Sequence, residues 1–233
     1  MASSADKFNF KSGLPDCCGA NPDYYTVKAE IPNARLIEMI LPPGVEDVPH
    51  DHPAHSLYFV NPAKLQVTPI GPDGKPAGEP QTPEVPAGAA PIFPAGAHQV
   101  KNIGDSEVKV IFVEPYPSTT PAPAVEGFAS PFECDADCYK LLAEDDSWVT
   151  GMMEMEPGQE DHLHNHRDHL IYVLEGDEVT IYPEGNKEDA HAVPIKAGAG
   201  IPAPFAAGAI FNKHSLKNTG STKVKMLFFE SKV

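Results

Sequence analysis

The sequence predicts an all-β protein built from two tandem copies of one small sandwich or barrel. Three observations carry that reading: an internal repeat, short β-type segments broken by prolines, and histidines that recur at matching places in both copies. A repeat longer than a hundred residues is one domain duplicated, not a solenoid of small units.

Shifting the chain by 114 residues lays Tyr25 on Tyr139, Met39 on Met153, Pro43-Gly44 on Pro157-Gly158 and Tyr58 on Tyr172. A shift of 116 lays Asn102, Gly104, Phe112 and Glu114 on Asn218, Gly220, Phe228 and Glu230, so a small net insertion lies in a loop between them. The copies are assigned to residues 1–120 and 121–233. The stretch Pro115 to Gly127 is rich in proline and reads as an extended, semi-rigid connection.

Within each copy the strands follow in order. Ala34 to Leu41 and Val149 to Met155 are apolar runs that end at Pro-Gly turns. Ser56 to Val60, Leu170 to Leu174, Val108 to Val113 and Val224 to Phe229 are β-branched or aromatic. Pro62, Pro69, Pro72 and Pro76 mark turns or edges. Tyr139 to Glu144 reads as a single helical turn leading into the second copy. Short strands without long helices imply a sandwich or barrel.

Composition excludes several functions. The 233 residues carry a net charge of −16, with Lys+Arg 17 against Asp+Glu 33. Nucleic-acid binding needs a basic face, and only Arg35 and Arg167 carry guanidinium groups. No run approaches the roughly 20 apolar residues of a membrane span, and MASSADKFNF has no secretory apolar core. A soluble, cytoplasmic protein is expected. The cysteines, Cys17-Cys18 and Cys134-x-x-x-Cys138, lack the Cys-x-x-Cys spacing and are expected as reduced thiols.

Eight of the ten histidines occupy equivalent positions: His50, His52, His55 and His98, then His164, His166, His169 and His214. Residues i and i+2 of a strand share a face, so each His-x-His presents two imidazoles to one point. His55 and His169 sit three residues further on, so a turn or bulge must intervene if they also face inward. Imidazole suits borderline divalent ions such as zinc, nickel, iron and copper. His162 and His191 lack counterparts, and His162 is read as a rim residue.

These residues resemble the cupin superfamily, whose first motif is Gly-x5-His-x-His-x3–4-Glu-x6-Gly and whose second is Gly-x5-Pro-x-Gly-x2-His-x3-Asn. The chain reads Gly158-x5-His164-x-His166-x2-His169-x6-Gly176 in the second copy, and Gly44-x5-His50-x-His52-x2-His55 in the first, with Pro62 at the closing glycine. The second motif reads Gly88-x5-Pro94-x-Gly96-x-His98-x3-Asn102, and more loosely Gly198, Gly200 and Gly208 before His214-x3-Asn218. The resemblance implies two tandem cupin barrels (double-stranded β-helices), each with a divalent transition metal: up to two per chain, of Fe, Mn, Ni or Zn, with Cu also compatible. Histidine stands where cupins usually place glutamate. Either four neutral ligands leave the ion its full charge, or His55 and His169 stay uncoordinated.

The expected function is a metal-dependent enzyme, a dioxygenase or a lyase/isomerase, acting on a small organic acid or diketone-like substrate that is anionic. The alternative is a non-catalytic bicupin that stores metal or senses a ligand. Leu57, Phe59, Ile171 and Val173 are in register with the third histidines and would shield the interior. Glu46, Asp47, Glu160 and Asp161 are candidate acid/base groups or else solvated turn charges, and Arg167 is a carboxylate anchor or an exposed loop residue. An exposed sheet edge leaves homo-oligomer formation open.

Overall fold

The computed structural model describes residues 8, 10–117, 127, 129–204 and 212–232. A four-residue helix α1 (Cys17–Ala20) precedes β1 (Tyr25–Ile31), β2 (Ala34–Leu41), β3 (His50–His52), β4 (His55–Phe59) and β5 (Ala63–Pro69). Then come β6 (Glu84–Val85), β7 (Ile92–Phe93), β8 (Gly96–Asn102) and β9 (Val108–Pro115). The second half repeats this order with α2 (Pro131–Cys134), β10 (Tyr139–Glu144), β11 (Trp148–Met155), β12 (His164–Asn165) and β13 (His169–Glu175). It ends with β14 (Glu178–Pro183), β15 (His191–Pro194), β16 (Gly200–Ala203), β17 (Lys213–Asn218) and β18 (Val224–Ser231). The chain divides into two units, Met1–Ser118 and Thr119–Val233.

Each unit pairs a five-stranded with a four-stranded antiparallel sheet. The orders are β1-β2-β9-β4-β7 and β3-β8-β5-β6, then β10-β11-β18-β13-β16 and β12-β17-β14-β15, so the topology repeats strand for strand. The longest ladders are those of the most apolar strands. β2 pairs with β9 from Ala34↔Pro115 to Leu41↔Val108, and β11 with β18 from Trp148↔Ser231 to Met155↔Val224. Residues of both sheets meet in one core per unit: Ile37, Met39, Phe59, Leu65, Val100 and Phe112 in the first, and Met153, Ile171, Val179, Leu216 and Phe228 in the second. Gly44 (φ 76°) and Gly158 (φ 82°) turn the chain out of β2 and β11 in a left-handed conformation that side chains disfavour.

Tyr139 to Glu144 is a strand, not the helical turn expected from its composition. It pairs with β11 from Tyr139↔Met153 to Glu144↔Val149, with an irregularity between Leu141 and Ala143. β1 carries the same irregularity between Val27 and Ala29, 114 residues earlier. A bulge breaks the period of two and so hides the strand from pattern reading.

The offset between the copies is also more complex than a single insertion. Phe59 O accepts from Gly88 N at 2.8 Å, and Val173 O from Gly198 N at 2.8 Å. His55 faces Phe93, and His169 faces Ala203. Gly198 and Ala203 therefore match Gly88 and Phe93, so the second copy is shorter before this point and longer after it. The added residues lie between Ala203 and His214, where 205–211 fall outside the described residues. Of the proline-rich connection, Pro115 to Gly127, residues 118–126 likewise lie outside the described residues. No helix among the described residues is long and apolar enough to cross a membrane.

Candidate metal centres

Strand pairing brings the histidines together. His50 and His52 lie on β3, and His50 is directly opposite His98 of β8. In the second unit His164 of β12 is directly opposite His214 of β17. The ligand atoms of His50, His52 and His98 all lie within 4.8 Å of one another, as do those of His164, His166 and His214. His55 and His169 begin β4 and β13 and flank these groups. Their rings lie 4.6 Å from His52 and 4.4 Å from His166, centroid to centroid. Phe112 and Phe228 back the rings, with centroids 5.8 Å from His52 and His166 respectively.

The hydrogen bonds fix the tautomers. His50 Nδ1 lies 2.8 Å from the Val48 carbonyl, His55 Nδ1 2.8 Å from Pro53 O, His164 Nδ1 2.7 Å from His162 O and His169 Nδ1 2.8 Å from Arg167 O. A carbonyl only accepts, so Nδ1 carries the proton in all four rings and Nε2 presents a lone pair. His52 and His166 use carboxylates instead: His52 Nδ1 is 2.5 Å from Glu114 Oε1, and His166 Nδ1 3.2 Å from Glu230 Oε2. Glu114 and Glu230 recur at the 116-residue offset, yet their service to the rings was not read from the sequence. The available signal was a carboxylate repeated inside two otherwise apolar strands.

The donor chemistry fits a metal ion. Nε2 of His50, His164 and His166 is buried and has no hydrogen-bond partner. An orphaned buried lone pair is a standing cost that a metal bond removes. Burial disfavours the charged form in six rings: His52, His98 and His166 lie well below the ordinary imidazole value, His55 and His164 are lowered, and His169 is pushed down to about 4. The expectation of wholly neutral surroundings needs adjustment, because each centre has a carboxylate one hydrogen bond behind its second histidine. Burial raises Glu114, opposed by Arg35, and pushes Glu230 up to about 7, opposed by Arg167.

The two carboxylates are held by cations from different places. Fully buried Arg35 of β2 donates to Glu114 Oε2 from Nε at 2.8 Å and Nη2 at 2.6 Å. Its counterpart at the repeat offset is Val149. In the second unit Arg167, on the turn before β13, reaches Glu230 Oε1 at 3.5 Å with its side chain 30% exposed. Arg167 is thus tied to the centre's own carboxylate.

Asp47 and Asp161 are not solvated turn charges. Tyr25 and Tyr139 donate to them at 2.6 and 2.7 Å, and the Val100 and Leu216 amides at 2.7 and 2.5 Å. Both carboxylates are buried and clamp the histidine-bearing sheet to β1 and β10; burial pushes Asp161 up to about 7. Glu46 and Glu160 are exposed and pair with Lys101 and Lys187. His162 is 78% exposed and bonds Asp135 at 2.9 Å, and exposed His191 pairs with Asp189. Phe59, Ile171 and Val173 are buried beneath the histidines and Leu57 is partly buried. All four cysteines are free thiols.

Comparison with known proteins bears on the fold. No protein-family model matches the chain, and no curated protein does. Among solved structures, a single-residue variant of oxalate decarboxylase from Bacillus subtilis is similar, with TM-score 0.59 and 17% identity over 88% of this chain and 71% of that one. A further structure of the same enzyme, from work on its Mn(II) centres, gives TM-score 0.56 and 15% identity over 88% and 71%. A cupin 2 conserved barrel domain protein from Leptotrichia buccalis gives TM-score 0.48 and 16% identity over 89% and 88%. At these identities the likeness speaks to the fold alone: the chain has the cupin fold, twice, with a histidine cluster in each copy.

Proposed function

We propose that this two-barrel cupin protein is a metal-dependent enzyme of the lyase type that acts on a small anionic organic acid, with one divalent transition metal at each histidine cluster. The observation that carries the proposal is the set of six Nδ1–H groups bound to oxygen acceptors, which turns the ring edges carrying Nε2 free for an ion. His50, His52 and His98 would hold the first ion, and His164, His166 and His214 the second, with His55 and His169 as the fourth rings.

When bound, such an ion supplies a positive centre that binds a carboxylate and stabilises negative charge developing on a substrate oxygen. The chain's own groups do the rest. Burial disfavours the charged form of six of the eight imidazoles, so these compete for the ion without bringing charge of their own. Phe112 and Phe228 exclude water behind the rings, which strengthens electrostatic attraction inside. Glu114 and Glu230 hold the Nδ1 protons of His52 and His166 and orient those rings, the part outer-sphere carboxylates play around metal-bound histidine. Lyase chemistry is favoured over dioxygen chemistry by the fold likeness to oxalate decarboxylase, an enzyme with Mn(II) centres.

The test begins with elemental analysis of protein never exposed to chelator, where close to two ions per chain are expected. His164→Ala combined with His166→Ala should remove about one of them. The manganese-loaded protein is then given oxalate and related small acids without oxygen. Carbon dioxide release supports the lyase; turnover that requires and consumes oxygen replaces it with a dioxygenase. Bound metal with neither activity leaves the non-catalytic alternative standing.

A further inference from the structure

A second donor set lies beside the first histidine cluster and belongs to no repeat. Asp16 caps α1: its Oδ1 accepts from Cys18 N at 3.0 Å and Gly19 N at 3.2 Å, and from Arg35 Nη2 at 2.9 Å. That cap sets the two cysteine side chains on one side of the short helix, with Cys17 Sγ 3.9 Å from Cys18 Sγ. A carboxylate oxygen of Asp16 lies within 4.8 Å of both sulfurs. Glu114 Oε1 is 3.9 Å from Cys17 Sγ on another flank.

Three facts mark this as more than a pair of neighbouring thiols. Two sulfurs about 2.3 Å from one tetrahedral ion stand roughly 3.8 Å apart, which the observed separation matches. Asp16 is only 2% exposed, yet its Oδ2 has no hydrogen-bond partner. The second unit has Pro131 and Phe132 where the first has Cys17 and Cys18, so the fold does not need sulfur at these places.

We propose that Asp16, Cys17 and Cys18 form a third metal site that takes one thiophilic d10 dication of the zinc class. Thiolates select such ions over the harder cations that imidazole and carboxylate also accept. Binding breaks two S–H bonds, forms two S–metal bonds and releases both protons to solvent, with no change of oxidation state. A divalent ion then exchanges for two protons, so the cluster's net charge is the same before and after. Asp16 Oδ2 gains the partner it lacks. Half-buried Cys18 gives the ion its way in.

The three donors are distinct from the histidines of the two centres, so the site is tested with those centres loaded. Cadmium(II) is the probe, added to the reduced full-length protein with its histidine centres loaded. Thiolate–cadmium bonds give an ultraviolet charge-transfer band that imidazole and carboxylate do not. The band should saturate at one ion per chain, vanish in Cys17→Ser and in Cys18→Ala, and persist in Cys134→Ser, Cys138→Ser and the double variant His164→Ala with His166→Ala. Should buried Cys17→Ser fail to fold, Cys18→Ala decides. No band, or a band that survives Cys18→Ala, overturns the site. A band that follows Cys134 or Cys138 overturns it equally.

Discussion

At the scale of single residues, the two centres differ most in how the carboxylate behind the second histidine is neutralised. Arg35 is fully buried and its partners Glu114 and Asp16 are buried with it, whereas Arg167 keeps contact with water. Breaking a fully buried ion pair costs roughly 3–5 kcal/mol, less where Asp16 still holds Arg35, while a pair whose cation reaches solvent is screened and worth less. Glu114→Gln should therefore lower the unfolding free energy far more than Glu230→Gln in urea denaturation of the metal-free protein. Equal losses would show that burial of the cation is not what separates the two units. The histidines make a second prediction. Burial lowers six of the eight imidazoles, His169 to about 4, so protons do not compete for these rings across the interval down from the ordinary value near 6.5. Metal content should be the same after dialysis at pH 5.5 as at pH 7.5, and should fall only in more acid buffer. Release centred near pH 6.5 would mean that the rings titrate as they do in water.

At the scale of elements, the copies keep their topology while exchanging volume between a helix and a strand. Ile37 of β2 is fully buried and corresponds to Gly151 of β11 at the repeat offset. A Cβ on Gly151 would lie 2.2 Å from ring atoms of Phe132 in α2. Phe132 corresponds to Cys18, so the first copy has a large strand residue under a small helix residue and the second has the reverse. Core volume is conserved by moving it across the contact, which packing at native density requires. Gly151→Ala should destabilise the protein by roughly 1–3 kcal/mol, the cost of overpacking. Phe132→Ala should relieve much of that loss when combined with it, and a double-mutant cycle on thermal unfolding measures the coupling. Strictly additive losses would separate the two positions. The same swap explains why sulfur at Cys18 is free to serve a site of its own.

At the scale of the whole molecule, the duplication was legible because it is carried by residues that cannot be traded: tyrosines that bond buried aspartates, glycines at positive φ and the histidines themselves. The six main strands were legible as apolar runs. Three things were not. β10 was hidden by its bulge. The match of Gly198 to Gly88 was hidden because a shortening and a lengthening nearly cancel. The roles of Glu114 and Glu230 were hidden because each depends on a ring more than sixty residues away that only strand pairing brings near. The duplication has a consequence for stability, since each unit has its own core and its own histidine cluster. An ion that binds only the folded state stabilises it by about 2.7 kcal/mol at a hundredfold excess over its dissociation constant, and that gain belongs to the unit that holds the ion. In the metal-loaded double variant His164→Ala with His166→Ala, amide hydrogen exchange should therefore quicken in β12, β13 and β17, by up to about a hundredfold where exchange needs that unit to open. In β3, β4 and β8 it should stay at the rate of the parent protein. Chelator treatment of the parent should quicken both sets together. Equal loss of protection in both units of the variant would mean that the repeat shares one folding equilibrium, and that its two centres report on each other.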